Sequence, residues 1–505
     1  MATHYKGGLW LSPSPSGTHL RNGDCFRVGP RPPRFAALHQ RTRAATSPPL
    51  ETSKPRVSLV SLGCPKNTVD SEVMLGNLER SGFSVVDDHE SADAIVINTC
   101  AFVEDAKAES LDAIMEATQL KAEGGAVQRV VVTGCLAQRY ADDLAAQLPE
   151  VDLVVGFERY ADLAQNLHDV LGEAAGATQT AVQVGSPTFS PFPEETQRHR
   201  LTPRHTAYLR VAEGCNHACT FCAIPGFRGR FRSKPPGLIL EEARALVAGG
   251  ALELNLIAED TNQYGQDRRG GTGLAGLLAN LAEIPGLRWI RILYAYPSYF
   301  TEDLIQEIAT NPKVCKYIDI PLQHINNLVL LSMNRPPADH TLRLLGTLRD
   351  CIPDLALRTT FISGFPGESK GAHEELAEFS DSFGFQRGGA FAYSEEDGTP
   401  AAGFPEQIPQ EVREERRDEL MSIQQRNSIA FAESLVGKEI DVLVDGIGEG
   451  GELLGRTQWD APEVDGQVYL LTPLDPGVAP AEVGQMRRCR VVSSCIMDIE
   501  AEPIA

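Results

Sequence analysis

At 505 residues, 42% of them apolar, the chain is long enough for roughly two to four domains with substantial cores. No apolar run reaches the eighteen or so residues of a membrane span, which excludes a helical membrane protein. The formal net charge of −22 is uneven: residues 1–50 hold +6, with Asp24 their only acid, and the rest of the chain holds −28. Such a body repels nucleic acid phosphates and attracts basic partners. Eleven cysteines without dense pairing patterns fit a reducing compartment and metal ligation better than a disulfide framework.

Residues 1–55, rich in Pro, Gly and Arg, show no helical or strand period and read as a disordered leader. The leader lacks the apolar core of a secretory signal. An organelle transit peptide and an extension from a start codon placed too early both stay open. The protein is therefore expected in the cytoplasm, or in an organelle stroma or matrix if the leader is a transit peptide.

From Arg56 the pattern becomes strand, turn, helix. The strand Val57–Leu62 ends in Gly63-Cys64, and a helix follows over about 69–81. Ala94-Ile-Val-Ile-Asn ends in Thr99-Cys100 before a helix near 105–118; Arg129-Val-Val-Val-Thr ends in Gly134-Cys135 before a helix over 137–147. Strands alternating with helices predict a parallel α/β sheet, with ligands outside the carboxyl ends of its strands. Cys64, Cys100 and Cys135 all occupy that position despite gaps of 36 and 35 residues. This domain is expected over 56–171, and residues 172–204, rich in Gly, Thr, Pro and Ser, read as a linker.

After a strand-like segment over 207–211 comes Cys215-Asn-His-Ala-Cys219-Thr-Phe-Cys222. A closed tetrahedral zinc site wants four ligands, usually in two spaced pairs, and no second pair follows at that spacing. Three thiolates can hold three irons of a [4Fe–4S] cluster and leave the fourth iron open. A zinc site borrowing a distant ligand, or idle thiols, are the other readings of these residues. The run resembles the signature of the radical S-adenosylmethionine (SAM) enzymes. That resemblance implies a SAM-binding cluster on Cys215, Cys219 and Cys222, with Phe221 near the adenine. Ser61-Leu-Gly-Cys-Pro-Lys-Asn67, Asn98-Thr-Cys-Ala-Phe-Val103 and Thr133-Gly-Cys-Leu-Ala-Gln138 resemble the motifs of the methylthiotransferase branch. The branch implies a second [4Fe–4S] cluster, on Cys64, Cys100 and Cys135, whose free iron carries the sulfur to be inserted.

Six strand-like segments between 207 and 393, separated by helical stretches, form a six-fold β/α repeat, shorter than the eight of a full barrel. They fit the open partial (β/α)6 barrel of radical SAM enzymes, expected with its exit helix over 205–436. Gly364 and Gly367, at the end of the fifth strand, match the family's SAM cradle. His324 follows the fourth strand. Glu259 stands where the family leads us to expect Gln, and Asn334 where Arg is usual. Cys25, Cys315, Cys351, Cys489 and Cys495 fit no ligand set.

A polar helix over about 410–435 leads to residues 437–505, where short strands broken by Gly and Pro suggest a small β-barrel resembling the TRAM domain. Its 13 Asp/Glu against five Lys/Arg suit a basic protein rather than phosphates. Asp460, Glu463 and Asp465 are the candidate partner-binding residues. With the Ser-Leu-Gly-Cys-Pro-Lys-Asn motif, Gly455-Arg-Thr-Gln-Trp-Asp-Ala-Pro-Glu-Val-Asp-Gly466 resembles the RimO-type branch. That resemblance implies methylthiolation of an aspartate β-carbon in small-subunit ribosomal protein twelve. The partners expected are this basic ribosomal protein, an electron donor and a sulfur donor, with neither membrane nor RNA. The alternatives are a MiaB-type methylthiotransferase acting on adenosine in transfer RNA, and a non-catalytic iron–sulfur carrier or structural metal-binding module.

Overall fold

Runs of Val, Ile and Leu that are apolar on both faces nucleate the first sheet of the computed structural model, which describes residues 54–172, 180–186, 192 and 195–504. All but the last two residues of the expected leader, and with them Cys25, lie outside the described residues. The elements in order are β1 (Arg56–Ser61), α1 (Pro65–Arg80), β2 (Ser84–Val85), β3 (Ala94–Thr99), α2 (Glu104–Ala122), β4 (Arg129–Gly134), α3 (Cys135–Gln147), β5 (Leu153–Val155), α4 (Leu163–Gly172) and β6 (Ala181–Gln183). The sheet is wholly parallel, ordered β2-β1-β3-β4-β5-β6. Every residue of β3 and β4 is buried, as a parallel sheet covered on both faces demands.

The stretch read as a linker does more than connect. It contributes β6, which pairs with β5, and it buries Glu195 and Arg198. Glu195 bonds Arg210 at 2.6 Å and Lys234 at 2.5 Å, while Arg198 pairs with Glu72 of α1 at 3.2 Å. Its Gly/Thr/Pro composition signals a loop, but Glu195 and Arg198 within it are buried anchors.

The second sheet begins with β7 (Thr206–Arg210). A two-stranded clip, β8 (Ala212–Glu213) and β9 (Arg232–Ser233), brackets the cysteine loop and the short helix α5 (Ile224–Arg228). There follow α6 (Pro236–Ala248), β10 (Glu253–Ile257), α7 (Gly273–Ala282), β11 (Trp289–Ile292), α8 (Glu302–Thr310), β12 (Val314–Asp319), α9 (Asn327–Ser332), α10 (Ala338–Cys351), β13 (Ala356–Ser363), α11 (Lys370–Phe383) and β14 (Arg387–Ala392). The six strands lie in the order β14-β13-β12-β11-β10-β7, parallel throughout and without closure between β14 and β7, as a partial barrel requires. Strand residues such as Leu254, Leu256, Ile290 and Ile318 pack in one core with Leu277, Ile308 and Leu345 of the surrounding helices. Val69 and Val73 of α1 pack with Tyr208 of β7. The first domain therefore lies along the open edge of the barrel. Among the described residues no helix is long and apolar enough to cross a membrane.

The long helix α12 (Gln410–Leu435) leads to a closed antiparallel and parallel barrel of β15 (Glu439–Ile447), β16 (Leu453–Arg456), β17 (Val468–Leu470), β18 (Met486–Cys495) and β19 (Asp498–Pro503), in the order β15-β16-β17-β19-β18. Its β16–β17 loop docks on the amino-terminal ends of the larger barrel's strands. Asp460 bonds Arg387 at 2.6 Å, and Asp465 accepts the Tyr317 hydroxyl at 2.7 Å and faces Arg358 at 3.4 Å. Arg456 pairs with Glu253 at 2.8 Å, and the Trp459 indole donates to the Asp354 carbonyl at 2.7 Å.

This corrects one expectation. The Asp460 and Asp465 side chains are 4% and 3% exposed and face arginines of the same chain, so neither is available to a partner. Of the three acids, only Glu463 is exposed, at a left-handed φ of 68°. Arginines stranded at the open ends of strands drew the loop's acids inward. Exposed Arg488 and Arg490 of β18 pair with Asp441 and Glu439 of β15, at 3.4 and 3.0 Å.

Candidate active site at the seam of two sheets

Cys100 and Cys135 directly follow β3 and β4, and Cys64 follows β1 after Leu62 and Gly63, so the register of the sheet sets them side by side. Two glycines let them close up. Gly63 has φ +85°, and a Cβ there would lie 2.8 Å from the Cys100 Cβ; Gly134 has φ +93°, and a Cβ would lie 2.4 Å from the Thr99 carbonyl oxygen. Asn67 stitches the strand ends by donating to the carbonyls of Leu62 and Thr99, both at 2.9 Å. Asn98 donates to the Asn67 carbonyl at 2.9 Å, and the Cys100 amide to Ser110 Oγ at 3.0 Å. Burial, reinforced by Cys135 and Cys64, pushes the Cys100 thiol far up. Burial likewise pushes Cys135 up to about 11 against the opposing Arg228 guanidinium.

The second set sits on the loop after β7. The Cys215 amide donates to the Gly229 carbonyl at 3.1 Å, and the His217 amide points to Cys215 Sγ at 3.4 Å. His217 stacks on Tyr296 with centroids 3.7 Å apart, and its Nε2 meets Asp260 Oδ2 at 2.6 Å. On the Tyr296 ring lies the Arg335 guanidinium, 4.2 Å from the centroid, with an Nη1 3.9 Å from Cys219 Sγ. The loop is thus clamped to the strand ends from both sides. Burial, with Cys219 beside it, raises Cys222 to about 12, and burial also drives Cys215 upward, with Cys222 and Cys219 adding to it.

The donor sets fit polynuclear centres. Among the described residues no three His, Cys, Asp or Glu side chains are arranged to hold a single metal ion, yet the thiols in each set repel one another's charge. Three free thiols gathered in each set are a donor set that could supply one sulfur to each of three irons of a cluster.

A cleft between the first domain and the barrel is lined by Ala101 and Phe102, which follow Cys100, by Phe221, which precedes Cys222, and by Phe227, Thr360 and Tyr393; none of the six cysteines lines it. Phe221 meets Phe365 edge-on at 6.5 Å. Gly364 and Gly367 flank Phe365 at φ +70° and +80°, and a Cβ at Gly364 would strike Arg413 of α12. The tight approach at Gly364 is therefore to the exit helix. His324 is buried 3.7 Å from Glu368, whose carboxylate accepts from the Gly364 amide at 2.7 Å. Asn334 donates to the Ala218 carbonyl at 2.9 Å, which ties it to the cysteine loop. Glu259 lies within electrostatic reach of Cys215 and Cys222 on one side and of Lys66 and Arg228 on the other. Its carboxyl is raised by burial and then by Glu213.

Sequence reasoning passed over the residues that join the two sets. Arg228, at the end of α5, donates to Asn67 Oδ1 at 2.7 Å and approaches Cys135 Sγ at 3.6 Å. Lys66 lies over Tyr294, 3.9 Å from the ring centroid. Asn67 and Lys66 stand inside a quoted motif and were legible in outline; Arg228, Arg335 and the His217–Tyr296 stack carry no local signal.

Similarity to known proteins agrees with this architecture. Residues 56–156 match the family described as "Uncharacterized protein family UPF0004", residues 209–380 the Radical SAM superfamily and residues 436–504 the TRAM domain. Fold and site together define a radical SAM methylthiotransferase, an enzyme that uses a [4Fe–4S] cluster and SAM. Proteins named "Ribosomal protein uS12 methylthiotransferase RimO" are similar over most of the chain. The one from Geobacter sulfurreducens is 44% identical over 90% of this chain and 100% of its own length, and that from Desulfitobacterium hafniense 41% over 90% and 100%. The Anaeromyxobacter protein is 46% identical over 85% of this chain and 89% of its own. The chain belongs to the RimO family of ribosomal protein uS12 methylthiotransferases.

Proposed function

We propose that this chain methylthiolates the β-carbon of an aspartyl residue in ribosomal protein uS12, using SAM and two [4Fe–4S] clusters. Cys215, Cys219 and Cys222 would hold the SAM-binding cluster, and Cys64, Cys100 and Cys135 the second. The observation that carries the reading is the placement of both thiol sets after carboxyl strand ends, with a cleft lined by chain neighbours of each set, Ala101 and Phe102 on one side and Phe221 on the other. When bound, a [4Fe–4S] cluster and SAM would supply radical chemistry suited to an unactivated C–H bond that no side-chain base could deprotonate at neutral pH.

The chain's own residues supply position and seclusion. The His217–Tyr296–Arg335 stack fixes the cysteine loop, and Asn67 fixes the three strand ends facing it. Phe221 lies beside the third cysteine where an adenine could stack, and the Gly364–Gly367 turn stands next to it. Phe102, Phe227 and Tyr393 give the cleft apolar walls, which exclude water from a reactive species. Holding the target carbon in line across the cleft is the protein's main contribution.

The domain organisation that goes with this reading is a methylthiotransferase domain over 56–171, the connecting segment 172–204, the barrel and exit helix over 205–436, and the TRAM-like barrel over 437–505. A basic ribosomal protein is the substrate, and separate electron and sulfur donors complete the cycle. The test is mass analysis of uS12 and of transfer RNA after incubation with reconstituted protein, SAM, reductant and sulfide. The expected result is a methylthio group in place of one hydrogen on uS12 alone. Modification of the RNA instead would overturn the substrate assignment, and modification of neither with SAM uncleaved would overturn the activity.

A further inference from the structure

Arg228 is a barrel residue that spends its charge in the other domain. Its helix, α5, starts two residues after Cys222, and Ala223, Ile224 and Phe227 pack into the core of the first domain. The guanidinium is almost wholly buried, 4.2 Å from the Phe157 ring centroid. Its two terminal nitrogens divide the work. One bonds Asp70 at 3.1 Å and Glu213 at 2.9 Å; the other donates to Asn67 Oδ1 at 2.7 Å and reaches Cys135 Sγ at 3.6 Å. Arg210 backs the same acids, bonding Asp70 at 2.6 Å and Glu213 at 3.0 Å. The guanidinium therefore has no freedom to swing away from the thiol set.

The two carboxylates already have Arg210, so ion pairing alone does not explain why Arg228 turns a nitrogen toward a sulfur. A cationic donor on a cluster sulfur favours the form with more negative charge, which is the reduced one. Burial magnifies the effect, because little solvent screens it.

We propose that Arg228 is the residue through which the barrel tunes the amino-terminal thiol centre, raising the reduction potential of the cluster held by Cys64, Cys100 and Cys135. It is a positioning and tuning residue, and the inference rests on the assignment of a second cluster to that set. Asp70 acts with the opposite sign, since its carboxylate draws on the same guanidinium.

The experiment isolates that cluster. A full-length protein with Cys215, Cys219 and Cys222 all changed to Ala is reconstituted, and its iron content and redox-titrated paramagnetic resonance signal are recorded. If this parent loads no cluster, the second-cluster assignment fails before Arg228 is touched. In the loaded parent, Arg228→Gln should lower the reduced-to-oxidised ratio at fixed potential on the order of tenfold, which is about 59 mV for a one-electron couple. Asp70→Asn should move the potential the other way. A merely structural disturbance would shift both variants in the same direction or neither, and either result would overturn the proposal. Should Arg228→Gln not fold, Asp70→Asn decides alone: an upward shift supports the tuning role, and no shift or a downward one ends it.

Discussion

At the residue scale the six cysteines stand in two sets on different sheets, and the division of work proposed for them is open to test. Cys219→Ala should abolish 5′-deoxyadenosine formation, whereas Cys100→Ala should leave some SAM cleavage and stop methylthio transfer; full product from Cys100→Ala would remove the second set from the chemistry. Asn67 is the residue on which the first set depends without being a ligand. Its amide satisfies two buried carbonyls and its oxygen receives Arg228. Leaving such groups unpaired costs about 1–3 kcal/mol each. Asn67→Ala should therefore lower thermal stability and reduce bound iron by up to half, with the loss confined to the amino-terminal set; unchanged iron and stability would contradict this. The cysteines were legible because a strand end is a place that sequence can mark, whereas Asn67, in the first turn of α1, was visible only as part of a motif. Arg228 was not. Its partners Asn67, Asp70 and Cys135 are 93 to 161 residues away, and nothing in Phe-Arg-Gly-Arg says which arginine turns toward them.

At the scale of elements, length decided what could be read. All six strands of the larger barrel announce themselves as apolar runs between helices, and the structure places them within a few residues of the expected bounds. The two-residue β2 and three-residue β5 and β6 are too short for a period to emerge, and they exist because a neighbouring strand supplies their hydrogen bonds. The β16–β17 loop was recognisable as distinctive, but its acids were assigned outward. Acidity is visible in a sequence; the arginines that neutralise it, Arg387 and Arg358, lie 73 and 107 residues before Asp460 and Asp465. The loop is a docking peg, and a test follows. Asp460→Ala strands the buried Arg387 guanidinium, and removing one partner of a buried pair costs about 3–5 kcal/mol. Thermal unfolding should shift markedly downward, and Asp460→Ala with Arg387→Met should lose less than the two single changes summed. A surface-like effect below about 1 kcal/mol would show that the peg is not under load. Reversing Asp460 and Asp465 to Lys would likewise break the dock, so a loss of uS12 binding in that variant would say nothing about steering.

At the scale of the whole molecule, the first domain and the barrel are joined by buried ions rather than by a purely apolar seam. Glu195, from the connecting segment, receives Arg210 of β7 and Lys234 after β9, and Lys234 also bonds Glu242 of α6. Arg198 bridges Glu242 to Glu72 of α1, both at 3.2 Å. Burial opposes ionisation of Glu195, but Arg210 and then Lys234 overcome it and hold the carboxyl at about 2. Glu242 is raised by burial to about 7, with Arg198 opposing and the Glu195 charge adding to the rise. The opposite directions of the two shifts give one shared proton to the pair in the mildly acidic range, with Glu242 the group raised. An unfolded glutamate titrates near ~4.3. Below that value the unfolded chain takes up a proton that folded Glu195 refuses, so the contribution of Glu195 is lost as pH falls from ~4.3 toward 2, on the order of 3 kcal/mol. Above ~4.3 the unfolded chain releases a proton that folded Glu242 retains, so stability also declines as pH rises toward 7. Glu242→Gln should remove the neutral-side decline alone. Denaturant unfolding of both proteins, measured from pH 4.5 to 8, should give a wild-type-minus-variant difference that falls up to ~7 and is flat beyond. A difference independent of pH would mean that Glu242 is ionised throughout and that the seam carries its full charge.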